Sequence, residues 1–302
     1  MPLVTAVITT FNRKAFLNQA IQSVLGQSFN DYELIVLDNN STDGTEELVK
    51  TIIHPRIKYL KHKNINISQQ RNLAISLAKG KYIAFLDDDD VWLPNKLNSQ
   101  LNKFAQGNDM LSLVYGGYYF YNDKGKNWGR YYPNLKGFIL VDLLWATNSF
   151  TGSASNPLID LKKLKNVGGF DNSISAGEDW EVYLRLAGKY EIDYVDELVL
   201  KIRQHNGLRL GGNINYSLFT EKKVLSKYKK IMPKKMLSLY CQRIGGKLIR
   251  LGDKKNGRLF LSKALFSNPL NFIGSFQYFL SFFPTKLYIE AHKFFIHLRK
   301  AI

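Results

Sequence analysis

The chain has 302 residues, of which 45% are hydrophobic and 22% charged, and its net charge is +17. That balance excludes a disordered chain and leaves enough apolar material for a substantial core. Cys241 is the single cysteine, so an internal disulfide is excluded, no Cys/His cluster has zinc-ligand spacing, and a reducing compartment is expected.

The charge is unevenly placed. Residues 216–302 carry 18 Lys and Arg against three acids, Glu221, Asp253 and Glu290, whereas residues 1–215 carry 24 against 22. A near-neutral module over residues 1–212 followed by a basic one over 213–302 is therefore expected. The N-terminus lacks a basic n-region, so no signal peptide is expected. The apolar stretch Phe272 to Phe283 is too short to span a bilayer.

Val4 to Thr10 is a β-branched run that reads as a first strand. Leu17, Ala20, Ile21, Val24 and Leu25 then recur at helical spacing. Glu33 to Leu37 is a second buried strand, closed by the turn-forming Asp38-Asn39-Asn40-Ser41-Thr42-Asp43-Gly44-Thr45, with Glu46 and Glu47 suited to the first turn of the next helix. Arg56 to Leu60 predicts a third strand, Ser68 to Lys79 a third helix, and the apolar run from Lys81 a fourth strand. Alternation of this kind predicts a mostly parallel sheet with helices on both faces. Pro94 opens a helix with the stripe Leu97, Leu101, Phe104 and Ala105.

Beyond it the spacing predicts a strand from Met110 to Tyr121 and then a loop rich in Asn, Lys and Gly. Tyr131 to Ile159 shows one short helical run, Ile139 to Trp145, and no other order. Gly177 precedes a helix with apolar Val182, Leu184, Leu186 and Ala187, and two short strands come next, Ile192 to Val195 and Leu198 to Ile202. After Gly212 the chain is helical in character, and Leu248 to Asn268 resembles one helical-repeat hairpin.

The fourth strand ends in four successive carboxylates, Asp87, Asp88, Asp89 and Asp90. A buried strand delivers the residues after it to the carboxyl edge of the sheet, where open α/β sheets bind ligands. Like charges this close repel unless a cation compensates them, so the edge calls for a divalent metal.

Six segments together, Thr9-Thr10-Phe11-Asn12-Arg13, Asp38 to Thr45, Arg71-Asn72, Leu86 to Asp90, Gly168-Gly169-Phe170-Asp171 and Glu178-Asp179-Trp180, resemble the ordered signature of the family 2 glycosyltransferases of bacterial polysaccharide biosynthesis. The likeness covers roughly Val4 to His205. It implies a GT-A fold, Rossmann-like with a mostly parallel central sheet, carrying nucleotide-sugar binding and catalysis in residues 1–212, followed by the basic α-helical C-terminal extension. It also implies inverting transfer from a nucleotide sugar, a UDP-sugar above all, and a divalent cation, Mn2+ or Mg2+.

By the same resemblance Asp89 is the direct metal ligand and Asp87 lies nearer the ribose or the metal's water shell, with Asp88 in the variable middle position of the nucleotide site. Asp90 is read as structural, capping the turn before Pro94. Thr9, Phe11 and Asp38 fall around the nucleoside, and Arg71 is placed to pair with Asp38 or the diphosphate. Asp179 matches the general base that takes the acceptor hydroxyl's proton, with Glu178 and Trp180 on the acceptor side. His205, in an Arg-x-His pattern after Arg203, matches a further metal ligand. Two departures stand out: Asn66 where the family commonly has glycine, and Asn39 where a second aspartate is frequent.

The basic, aromatic C-terminal region suits adsorption to an anionic membrane surface, which would hold the enzyme peripherally at the cytoplasmic face beside a glycan or lipid-linked acceptor. The competing reading is a non-catalytic protein that uses this region to bind membrane or nucleic acid. The acidic edge and the lack of a recognition motif argue against nucleic acid as a partner. A nucleotidyltransferase would carry a Gly-rich phosphate loop after the first strand, which Thr9 to Arg13 is not.

Overall fold

A computed structural model describes residues 1–63, 65–146, 150–204 and 213–291. The chain forms two compact units, Met1–Leu208 and Arg209–Ile302.

The first unit contains strands β1 (Val4–Thr10), β2 (Tyr32–Asp38), β3 (Ile57–Lys61), β4 (Tyr82–Asp87), β5 (Val91–Trp92), β6 (Leu111–Tyr121), β7 (Asn127–Tyr131), β8 (Leu158–Asp160) and β9 (Glu191–Arg203). Between them run helices α1 (Lys14–Leu25), α2 (Thr45–Thr51), α3 (Ile67–Leu77), α4 (Lys96–Gln106), α5 (Leu140–Ala146), α6 (Leu161–Asn166) and α7 (Glu178–Ala187). One nine-stranded sheet has the order β3-β2-β1-β4-β8-β6-β9-β5, with β7 on β6. β1 to β4 are mutually parallel, β6 and β9 are parallel, and β5, β7 and β8 run against their neighbours. The predicted α/β class with a mostly parallel sheet is the one observed.

The chain steps outward from β1 through α1 and α2, then returns through α3 to β4 on the other side of β1. Right-handed crossovers then put α1 and α2 on one face and α3 on the other. Leu17, Ala20, Ile21 and Val24 of α1 join Val4, Ala6 and Ile8 of β1 in the main core. The reversal makes the carboxyl ends of β1 and β4 a topological switch point, which opens a crevice there.

Three sequence expectations are corrected. The Asn, Lys and Gly segment after Tyr121 includes β7, an exposed strand whose composition hides it. The two strands expected between Ile192 and Ile202 are one, β9, whose register against β6 shifts between Gly116 and Tyr118. In Tyr131 to Ile159 the helical run expected near Ile139 to Trp145 forms as α5, but the segment also ends in β8, which the sequence does not mark, three residues wedged antiparallel between β4 and β6.

The second unit contains α8 (Ile214–Tyr228), α9 (Lys234–Arg250), α10 (Lys254–Ser267) and α11 (Phe272–Leu280). The hairpin expected from Leu248 to Asn268 forms, turning at Gly252 with φ of 90°. α9 and α10 approach closely at Gly245, where a Cβ would stand 2.9 Å from the Gly257 carbonyl oxygen. Ile249, Leu261, Leu280 and Tyr288 form a small core. Among the described residues no helix is long and apolar enough to cross a membrane.

Candidate active site

Register assembles the site. Parallel pairing sets Thr9 of β1 beside Asp87 of β4 and Thr10 beside Asp38 of β2. The loops beyond are laced together at Asn12, whose φ of 52° turns the chain sharply. Its N–H donates to Ser41 Oγ at 2.8 Å and its Oδ1 accepts from the Thr42 N–H at 2.8 Å. Phe11 is left 47% exposed at the rim, so it is not a core residue. Asp38 is fully buried and shapes the loop: it accepts from the Ser41 N–H at 2.8 Å and the Tyr59 hydroxyl at 2.5 Å.

The four aspartates alternate in exposure. Asp87 and Asp89 are half-buried, whereas Asp88 and Asp90 are buried. Asp87 accepts from Arg71 Nη2 at 3.0 Å and Ser153 Oγ at 3.3 Å. Asp88 accepts from Thr10 Oγ1 at 2.7 Å, and burial pushes its pKa up to about 7, against the pull of Arg13. Asp89 pairs with Arg13 Nη1 at 2.6 Å.

Asp90 does not cap the turn before Pro94. It accepts from the hydroxyls of Ser153 at 2.8 Å and Ser155 at 2.7 Å and from the Arg203 N–H at 3.1 Å, and so ties three segments together. Burial and the neighbouring aspartates raise its pKa well above the ordinary range.

No three His, Cys, Asp or Glu side chains among the described residues converge as a ready-made cage. The donor set nevertheless fits Mg2+ or Mn2+, which are commonly held by one or two carboxylates together with substrate phosphates and water. Asp87 and Asp89 are the hard-oxygen donors of the edge that solvent reaches, one residue apart.

Arg71 connects this edge to the candidate base. From α3 its Nη1 reaches Glu178 at 2.5 Å, and its guanidinium lies 5.6 Å from the Phe85 ring and 5.4 Å from that of Phe170. It pairs with Asp87 and Glu178, not with Asp38. Asn72, the next residue, holds the Gly168-Gly169-Phe170-Asp171 turn: its Oδ1 accepts from the Phe170 N–H at 2.8 Å and its Nδ2 donates to the Phe170 carbonyl at 2.7 Å. Gly169 has φ of 63°, and a Cβ there would lie 2.6 Å from Asn72 Oδ1.

Gly177, with φ of 75°, starts α7, so Glu178 and Asp179 fall in its first turn. Asp179 is buried and accepts from the Trp180 N–H at 2.8 Å. Its pKa rises to about 7, mainly through burial and then through repulsion by Glu178, with Arg71 pulling the other way. A carboxylate poised there is matched to general-base work near neutral pH. Trp180 is buried too and donates from Nε1 to the Leu143 carbonyl at 3.1 Å, which fastens α7 to α5.

Both departures have a local reason. Asn66 has φ of −72° and forms a capping box with Gln69 at the start of α3, so no glycine is required. Asn39 donates to the Ile65 carbonyl and accepts from the Ile65 N–H, a pair of bonds that an ionised aspartate could not make. Sequence reading missed Ser153 and Ser155, whose role appears only once β8 folds the preceding loop against β4. It also missed Tyr121, which donates to the Asp89 carbonyl at 3.3 Å. His205 lies outside the described residues.

The description "Glycosyl transferase family 2" matches residues 5–168. The chain belongs to this family, and it is a glycosyltransferase. An uncharacterised glycosyltransferase of Methanocaldococcus jannaschii is 31% identical over 68% of this chain and 72% of its own length. The Escherichia coli UDP-Glc:alpha-D-GlcNAc-diphosphoundecaprenol beta-1,3-glucosyltransferase WfgD is 35% identical over 40% of this chain, which spans about half (47%) of that protein. Among solved structures, S. aureus TarS 1-349 in complex with UDP-GlcNAc superposes with a TM-score of 0.64 at 15% identity, over 88% of this chain and 81% of its own. The Pyrobaculum calidifontis mannosyltransferase PcManGT, in complex with GDP-Man and Mn2+, superposes with a TM-score of 0.55 at 16% identity, over 96% and 86%. These structures share the fold.

Proposed function

We propose that the chain is an inverting, divalent-cation-dependent glycosyltransferase that moves a sugar from a UDP-sugar to a hydroxyl of a glycan or lipid-linked acceptor in cell-surface polysaccharide synthesis. The observation that carries this reading is the Arg71 bridge, which holds the donor-side Asp87 and the first turn of the helix bearing Asp179 on one guanidinium.

In this reading Thr9, Phe11, Asp38, Arg71, Asp87 and Asp88 surround the nucleotide, and Phe11 offers its exposed ring to the base. Asp87 and Asp89, with His205, hold the cation, which supplies charge neutralisation for the diphosphate leaving group. Asp179 takes the proton of the attacking hydroxyl, and Glu178 keeps Arg71 oriented beside it. UDP as donor is supported by the ligand named for TarS and the substrate named for WfgD, and a lipid-linked acceptor by the diphosphoundecaprenol in the latter's name. The Mn2+ in PcManGT supports the choice of cation.

Peripheral attachment at the cytoplasmic face of the membrane belongs to the same reading. α11 supports it: Phe272 is 78%, Phe279 61% and Phe276 38% exposed at helical spacing, in a C-terminal region of strongly basic composition.

Isothermal titration of the full chain with UDP, GDP, ADP and CMP, with and without Mn2+, tests the donor and the cation. Mn2+-dependent UDP binding that disappears in Asp89→Ala is the expected result. Absence of binding by every nucleotide would overturn the assignment.

A further inference from the structure

Arg13 is poorly suited to its local position. It is the N-cap of α1, where its carbonyl accepts from the Phe16 N–H at 3.0 Å and the Leu17 N–H at 3.1 Å, while its side chain makes no capping bond. N-caps favour Ser, Thr, Asp and Asn, whose oxygens take the first N–H groups of the helix, and the positive end of the helix dipole disfavours cations. Lys14 follows it, and the first turn of α1 holds no acid. A residue that conflicts with its local setting in two ways has its role set by the wider structure.

That role lies at the acidic edge. Beyond the turn at Asn12, Arg13 Nη1 meets Asp89 Oδ2 at 2.6 Å and Asp88 Oδ1 at 3.5 Å. Arg71 meets Asp87 at 3.0 Å. Arg203, paired with Asp123 at 2.5 Å, donates to the Asp89 carbonyl at 3.2 Å. Each of the two carboxylates that solvent reaches, Asp87 and Asp89, is therefore already matched by a guanidinium.

The two guanidinium groups differ in how firmly they are held. The Arg71 side chain is 3% exposed and also bound to Glu178, whereas that of Arg13 is 29% exposed. A partly exposed pair is weak and readily given up, while breaking a buried one strands a charge. A divalent cation and a guanidinium on one carboxylate repel each other. A nucleoside diphosphate changes that balance, because its phosphates bring negative charge for the cation and accept from a guanidinium.

We propose that Arg13 is a positioning residue that makes cation binding depend on the nucleotide: by holding Asp89 it opposes a bare cation, and its guanidinium passes to the diphosphate when cation and nucleotide arrive together. The two ligands are then coupled, each tightening the other by the same factor. The proposal rests on the assignment of Asp89 as a cation ligand made above.

The test is Mn2+ binding to the full chain at low salt, followed by the electron paramagnetic resonance of free Mn2+, with and without UDP. Arg13→Gln is expected to bind Mn2+ alone about tenfold more tightly than wild type and to lose most of the tightening that UDP produces. Arg13→Lys, which keeps the charge, should stay near wild type. Combining Arg13→Gln with Asp89→Ala should remove the gain. A variant that merely unfolds binds less, so a gain separates this role from a structural one. The proposal is overturned if Arg13→Gln binds Mn2+ alone no better than wild type, if Arg13→Lys gains as much as Arg13→Gln, or if the gain survives in the double variant. Mn2+ and UDP binding that ignores Asp89→Ala would overturn the cation assignment and this proposal with it. Asp89-dependent binding without a gain in Arg13→Gln would overturn this proposal alone.

Discussion

Arg71 and Glu178 are 107 residues apart in the chain and meet as a buried ion pair at 2.5 Å, while the same guanidinium reaches Asp87 at 3.0 Å. The guanidinium therefore balances one acid at the carboxyl end of β4 and one at the start of α7. Removing one member of a buried charge network leaves the others uncompensated, which costs about 3–5 kcal/mol. Arg71→Ala is expected to lose stability of that order in urea melts. Arg71→Lys retains the charge but not the two-pronged geometry. It should fold and lose about a hundredfold in kcat/KM.

The pKa of Asp179, near 7 against an ordinary 3.8, sets a direction for activity. If Asp179 is the general base, as proposed, it works deprotonated, so kcat/KM should rise about tenfold per pH unit below 7 and level off above it. Asp179→Asn should remove the rise together with most of the activity while nucleotide binding persists. Stability runs the other way. The folded carboxyl keeps its proton up to about pH 7 and the unfolded one loses it near 4, so folding becomes less favourable as pH rises between those values. Urea melts of wild type and Asp179→Asn across pH 4–8 should therefore converge at the acid end.

Gly169 is held against Asn72 in a left-handed conformation. Gly169→Ala forces the two apart and should lower stability by about 1–3 kcal/mol. Asn72→Asp replaces a donor with an acceptor opposite the Phe170 carbonyl and should cost a similar amount. Thermal melts of both variants measure this, and a melting point unchanged in Asn72→Asp would contradict the role given to its amide.

Asp90→Ala leaves the hydroxyls of Ser153 and Ser155 and the Arg203 N–H without their common acceptor. The expected loss is about 2–4 kcal/mol. Because Ser153 also touches Asp87, UDP affinity in the presence of Mn2+ should fall with it when measured by titration.

If α11 attaches the protein to anionic lipid, Phe272→Glu combined with Phe279→Glu should abolish co-sedimentation with phosphatidylglycerol vesicles and leave helix content unchanged. Wild-type protein that stays in the supernatant at low salt would remove the membrane from the functional reading.

Much of this architecture is legible in the chain itself. β1, β2 and β4 announce themselves because strands buried on both faces must be apolar throughout, and α1, α4 and α7 because one face must be apolar every third or fourth residue. Asp87 and Asp89 stand out because carboxylates follow a buried strand at the carboxyl edge of the sheet, whereas Arg71 and Asp179 stand out only through the resemblance to the family's ordered segments. The hidden parts share one cause, which is that tertiary neighbours decide them. β7 has both faces in solvent and no alternation to read, while β8 is too short to carry a pattern. Ser153 and Ser155 look like any loop serines until Asp90 is packed against them. Trp180 sits beside a candidate base in sequence, yet its ring turns inward to Leu143.

The placement of β8 bears on how the protein is made. In the sheet Ala84 pairs with Leu158, so one hydrogen-bonding edge of β4 has to wait for a segment translated far later. At elongation rates of about 5–20 residues per second the wait is on the order of several seconds. During that time the four parallel strands can assemble, but they present an apolar, unpaired border, the kind of surface on which nascent chains stick to one another. Ribosome-bound chains halted at residue 150 should recruit chaperones strongly, and chains halted at residue 220 should release them.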